Sequence, residues 1–198
     1  MKIKEYDRKL LEGYIASFAK LDEMVLIDCG VSTPESQLTT GEIDQYDRKI
    51  WRPLRMETSL EALQAIYQKL PARFPPLYEM LLLSYRWAAV RLGSYRLLAN
   101  PPGPDLSGFL HNIERDNGLW TALIPSGFIQ FGHGSDVDYD PVCFDIRSRS
   151  KKGDYRVVKI DHEEILCNNR IKVVAELAPS FEQLVLSTIE RAGSPRTV

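Results

Sequence analysis

Two short clusters hold most of the side chains able to do chemistry. Asp136-Val137-Asp138-Tyr139-Asp140 sets three carboxylates at alternate positions, which is how a calcium loop begins. Such a loop needs Gly at its sixth position and Glu at its twelfth, and Pro141 and Arg147 stand there instead. The cluster reads as an acidic turn that offers negative charge to a basic partner. Asp161-His162-Glu163-Glu164 places a histidine among carboxylates, but the second histidine of a helical zinc motif is missing. His133 and His162, with Cys143 or Cys167, make no pair at short ligand spacing. No metal and no cofactor are expected, and the acids of 161–164 are expected to face water at a strand end.

Other catalytic signatures are missing. The chain has no Gly-x-Ser-x-Gly elbow, no Gly-x-Gly-x-x-Gly fingerprint and no phosphate loop. Gly132-His133-Gly134-Ser135 reads as a hairpin turn. Arg147-Ser148-Arg149-Ser150-Lys151-Lys152 is a basic run bracketed by acids, as at a solvated hairpin tip. Lys and Arg total 25 against 27 Asp and Glu, a net charge of −2. No bulk positive field draws the chain to nucleic acid. Cys29, Cys143 and Cys167 are odd in number and widely spaced, and read as free thiols.

The elements that must position these residues follow from hydrophobic spacing. With 198 residues, 44% of them hydrophobic, the chain fits one globular domain with a full core. Leu10, Leu11, Tyr14, Ile15, Phe18 and Leu21 predict a helix over 5–27. Residues 28–57 lose periodicity and read as an irregular segment pinned by Trp51. Thr58 with Glu61 predicts a capped helix ending at Pro71, and Pro75-Pro76 opens a third helix running to Leu92. That run is interrupted by Glu79, Arg86 and Arg91, so it is no membrane span. Asp105 caps a short helix ending near Asn117-Gly118. Period two then takes over, predicting strands at 120–124, 128–131, 142–146, 155–160 and 171–177, and Ser180 with Gln183 opens a closing helix. The fold class is α+β: an antiparallel sheet of about five to six strands from residues 119–178, packed with helices from the N-terminal half and a C-terminal helix. Val142, Phe144 and Ile146 should face the core, and Cys143 and Asp145 the other way. The expected organisation is an N-terminal segment 1–57, a domain 58–192 and a tail 193–198. The opening Met1-Lys2-Ile3-Lys4-Glu5-Tyr6-Asp7-Arg8 carries no apolar signal core, which points to the cytoplasm.

The order of several segments resembles the SUKH superfamily, which contains bacterial immunity proteins and relatives of a yeast cell-wall glucan-synthesis regulator. Leu70-Pro71-Ala72-Arg73-Phe74-Pro75-Pro76-Leu77-Tyr78-Glu79-Met80-Leu81-Leu82 is similar to its proline-led helix. Phe128-Ile129-Gln130-Phe131-Gly132 and Val142-Cys143-Phe144-Asp145 resemble its central hairpin, and Tyr155–Glu163 its next strand. Ala178-Pro179-Ser180-Phe181-Glu182-Gln183-Leu184 resembles the start of its closing helix. The family's Asn-Gly-Gly turn is absent: Trp87-Ala88-Ala89-Val90 stands in its place and reads as helix. The likeness covers about Thr58 to Arg191.

This resemblance implies a non-enzymatic module that binds a protein, in bacterial members a cognate toxin, often a nuclease. It carries no shared catalytic set. The residues expected to meet a protein partner are Asp136, Asp138, Tyr139 and Asp140, joined by Asp161 and Glu163 if the strands bring those ends together. Two alternatives stand beside it. One is a regulatory or scaffold role in cell-envelope synthesis. The other is a metal-dependent hydrolase using His133 and His162.

Overall fold

Helical spacing in the first segment comes out as α1 (Glu5–Leu21), which buries Leu10, Leu11, Tyr14 and Phe18 on one face. The structure, a computed structural model, describes residues 5–26, 37–135 and 139–194. The described part of the segment expected to be irregular contains strands. β1 (Val25–Leu26) takes the place of the last turn of the helix expected over 5–27, which stops at Leu21, and joins β2 (Thr39–Ile43) and β3 (Lys49–Trp51) of the irregular segment in a small antiparallel sheet, in the order β1-β3-β2. Period two is hidden there because β2 lies open to solvent along its length, so no apolar face marks it. Trp51 does pin the segment: its N–H donates to the Met24 carbonyl and its indole is buried.

β4 (Leu54–Arg55) leads to α2 (Leu60–Tyr67) and α3 (Pro76–Ser84). Ser59, not Thr58, is the N-cap of α2. α3 stops at Ser84 rather than Leu92, and the chain continues as β5 (Tyr85–Arg86) and β6 (Val90–Arg91). An unbroken apolar run has no period that separates a buried helix from buried strands. The tertiary pairings decide it. β5 pairs with β4, Trp87 exchanges both backbone hydrogen bonds with Asn100, and its indole N–H donates to the Leu98 carbonyl.

β7 (Tyr95–Leu97), α4 (Ser107–Glu114) and α5 (Asn117–Leu123) come next. The strand expected at 120–124 is helix α5. Asp116 caps it by accepting the Leu119 N–H, and Leu119 and Leu123 are buried one helical turn apart. β8 (Phe128–Gly134), β9 (Pro141–Asp145), β10 (Arg156–Ile160), α6 (His162–Asn168), β11 (Val173–Ala178) and α7 (Phe181–Gly193) complete the chain. The main sheet has six antiparallel strands in the order β11-β10-β9-β8-β7-β6. Four come from the expected region, and β6 and β7 precede it. Gly132 and Gly134 belong to β8 rather than to a turn. A Cβ on Gly132 would lie 2.6 Å from the Arg96 carbonyl oxygen of β7, so that glycine serves close strand approach. Among the described residues no helix is long and apolar enough to cross a membrane.

Both faces of the sheet are covered. On one, Phe131 and Phe144 stack at 4.2 Å between ring centroids, beneath Tyr78 of α3 and Phe181 of α7. Phe144 points into this core and Cys143 points away, as the alternation requires. Yet Cys143 is buried too, in a second core with Leu119, Leu123 and Ile165 of α5 and α6. Two short helices thus close the second face over Cys143.

The acids that bracket the basic run are turned inward. Asp145 is 1% exposed and accepts from Arg147 and Arg156. Asp154 is 9% exposed and accepts the N–H groups of Tyr155, Phe181 and Glu182, which ties β10 to the start of α7. Burial alone would push the Asp145 carboxyl up; the hydrogen bonds from Arg147 and Arg156 outweigh it and hold the group below the ordinary aspartate range.

Leu82 is fully buried in α3, so Leu82→Ala should cost about 2–5 kcal/mol in a urea melt, with an unchanged fold by circular dichroism. Asp145→Asn should cost about 1–3 kcal/mol at neutral pH. Because the folded pKa of Asp145 is lowered, its contribution is complete above the unfolded value. It fades as pH falls below about 4, so wild type and variant should converge on acidification. Melts from pH 7 to pH 2.5 test this, and parallel curves would refute it.

Candidate functional site

The acidic turn and the histidine cluster come together at one end of the sheet. The connection from β8 to β9 returns through Tyr139 and Asp140, and the Gly134 N–H donates to the Asp140 carbonyl at 2.9 Å. Asp136 and Asp138 lie outside the described residues. At the same end, β10 passes directly into α6. The segment 161–164 is therefore the start of a helix, not a strand end, because the Asp161 carboxylate accepts the Glu164 N–H at 3.1 Å as an N-cap.

One carboxylate joins the two clusters. Asp140 Oδ1 accepts both the backbone N–H of His162, at 2.9 Å, and its ring Nδ1–H, at 2.8 Å. The ring contact fixes the tautomer with a proton on Nδ1. The imidazole is held in turn against Tyr139, with centroids 6.2 Å apart in an edge-to-face pair. Tyr139 itself remains 64% exposed. A large aromatic side chain is thus presented to solvent on a base fixed by three hydrogen bonds.

The remaining acids divide by role. Asp161 is committed inside the protein: the Glu164 N–H and the Lys172 ammonium hold its carboxyl below the ordinary range. Glu164 is likewise engaged by Arg170 and Asn168 and lowered by them, Arg170 foremost. Glu163 is exposed on the first turn of α6. Of the expected partner-facing residues, the structure therefore brings Tyr139, Asp140, Asp161 and Glu163 to one ridge, and it leaves Tyr139 and Glu163 open.

His133 is separate in role. It lies in β8 opposite Pro141, and its Nδ1 lies 2.8 Å from the Gly134 carbonyl oxygen. Among the described residues, no three His, Cys, Asp or Glu side chains converge as metal ligands. Burial pushes the Cys143 thiol well above its ordinary value, which keeps it protonated inside the second core. Spacing gave no sign that His162 positions the turn, since its partner lies 22 residues away. The one available signal was the Asp at position 161, a helix cap immediately before the histidine.

Scans against protein-family models, curated proteins and solved structures return no match for this chain.

The tie between Asp140 and His162 has a measurable consequence. His162→Ala removes the ring hydrogen bond and the support under Tyr139 and should cost about 1 kcal/mol. It should also speed hydrogen exchange at the Gly134 amide, which closes the same loop, while amides of β10 keep their protection. Equal exchange at Gly134 in both proteins would refute the link.

Proposed function

We propose that this chain is a non-enzymatic protein-binding module of the immunity type, which neutralises a cognate bacterial toxin by direct binding. The ridge built by Tyr139, Asp140 and Glu163 is its contact surface. The observation that carries this reading is the Asp140–His162 tie, which sets the His162 ring edge-to-face against an exposed tyrosine. Exposed, pre-oriented aromatics are what interfaces use as anchors, because little side-chain freedom remains to be lost on binding.

Two further features support the reading. The segments that carry the SUKH resemblance fall on α3, β8, β9, β10 with the start of α6, and the start of α7, largely the helix and strand types the resemblance implies. The acids around Tyr139 would speed the encounter with a basic partner and fix its register.

The test is titration with candidate secreted toxins taken from the gene neighbourhood, at two salt concentrations. Tyr139→Ala should weaken binding by about 2 kcal/mol, roughly thirtyfold, mainly through faster dissociation. Replacing Asp136, Asp138 and Asp140 together by Asn should slow association, and the deficit should grow as salt is lowered. Unchanged binding by both variants would remove the ridge from the interface. Loss of toxin neutralisation in a folded His133→Gln variant, with binding intact, would favour a catalytic role instead.

A further inference from the structure

A second site lies away from this ridge. A cavity of about 270 Å³ opens between α1, α3 and the β4–β5 ribbon. Leu11, Leu60, Met80 and Leu83 supply its apolar lining, and Thr58, Ser84 and Tyr85 its polar side. Leu60 is half exposed at the mouth and extends the apolar lining to solvent.

The wall behind Thr58 holds a fully buried cation. Arg86 is 0% exposed. Its guanidinium donates to the Leu82 and Tyr85 carbonyls and to Thr58 Oγ1, while its Nε has no partner among the described residues. Asp105 acts on Arg86 only through space, and no carboxylate is bonded to it among the described residues. Removal from water disfavours this charge, and the carbonyls at the C-terminal end of α3 compensate only part of that cost.

Thr58 relays this charge toward the cavity. Its oxygen accepts from Arg86, so the hydroxyl proton is left to donate, and a donor polarised by a cation donates more strongly. At the rim, the side chains of Arg55 and Glu57 make no hydrogen bond or ion pair among the described residues. Arg8 is occupied by Glu5. Glu12, Glu57 and Arg55 are all exposed, so water and salt screen the rim charges of both signs alike and Arg55 acts only by direct contact, whereas the Arg86 field passes through protein.

We infer that this cavity binds a small amphiphilic carboxylate: the head meets the Thr58 hydroxyl and Arg55, and the hydrocarbon body lies on Leu11, Met80 and Leu83. A cavity of roughly 150 Å³ holds benzene, so this one has room for about ten non-hydrogen atoms, the size of octanoate. This site is independent of the toxin-binding reading and shares no residue with it.

The experiment titrates octanoate, 1-octanol and octylamine into the intact protein, following the methyl resonances of Leu11, Met80 and Leu83, with affinities from calorimetry. Octanoate should shift these methyls saturably and bind about tenfold or more tightly than either chain-matched control. Thr58→Val should remove that preference while keeping octanol binding, and Thr58→Ser should restore it. Arg55→Met, an exposed change that the fold tolerates, should weaken octanoate alone. Failure of octanoate to saturate the shifts would overturn the proposal. So would equal affinity for octanol, or tighter binding of octylamine, which would give the rim glutamates control. If Thr58→Val does not fold, the Arg55→Met and Thr58→Ser measurements decide the matter by the same criterion.

Discussion

The fold turns on one aromatic contact set. Tyr78 of α3 meets Phe74, Phe109, Phe131, Phe144 and Phe181, with centroid separations from 5.1 to 6.1 Å. These rings come from α4, β8, β9, α7 and the turn before α3, so a single side chain fixes the sheet against both the middle and the end of the chain. Each such pair adds about 0.5–1.5 kcal/mol beyond its area, and together they outweigh the cost of leaving the Tyr78 hydroxyl buried with no partner among the described residues. Tyr14 and Tyr95, close by, solve the same problem differently: their hydroxyls bond each other at 2.8 Å, and Tyr95 also meets Thr188.

With one face of the sheet fixed in this way, the other is free to build the functional end. α5 and α6 close over Cys143, Val158 and Ile160, forming a smaller core around Leu119, Leu123 and Ile165. That closure places the start of α6 beside the return of the β8–β9 connection. Asp140 and His162 can then meet although the chain separates them widely. The second core is thus the cause of the ridge's geometry, and the Asp140 hydrogen bonds are its local fastening.

Much of this was legible in the sequence where periodicity and caps agreed. β8, β9, β10, β11 and α7 lie close to where spacing placed them, α1 begins as expected but stops at Leu21, and Ser180 caps α7 through the Gln183 N–H as its motif implied. Two kinds of segment were opaque. The apolar stretch from Leu77 to Leu92 lacks a period, and its split into α3, β5 and β6 depends on partners at β4 and Asn100. Short helices of seven residues, α5 and α6, read as strands or strand ends because fewer than two turns carry little helical pattern. At the site, residue types were legible and roles were not. The acids were visible, but nothing in their spacing separated Asp161, spent on a cap, from Glu163, left open.

The same sorting changes what the surface presents. A net charge of −2 suggests a nearly neutral exterior, yet Asp145 and Asp154 are consumed inside by guanidinium and backbone N–H groups. Within the run from Arg147 to Lys152, Asp145 therefore neutralises Arg147, and Asp154, spent on backbone N–H groups, leaves the cations beyond Arg147 uncompensated. Arg147 and Arg156 share Asp145, while Arg149, Lys151 and Lys152 lie exposed at the turn. β9 separates this basic turn from the acidic ridge by five residues, or about 17 Å of strand. That span exceeds the Debye length of about 8 Å at physiological ionic strength, so the two patches act as distinct fields and do not cancel. A partner approaching this side meets opposite signs at the two ends of one strand. Under the proposed binding role, such a pattern would orient the encounter about the strand axis before any contact forms and penalise the reversed approach by like-charge repulsion at both ends. Tyr139 stands at the acidic end of that axis, where a partner held in the favoured orientation would first meet an apolar surface.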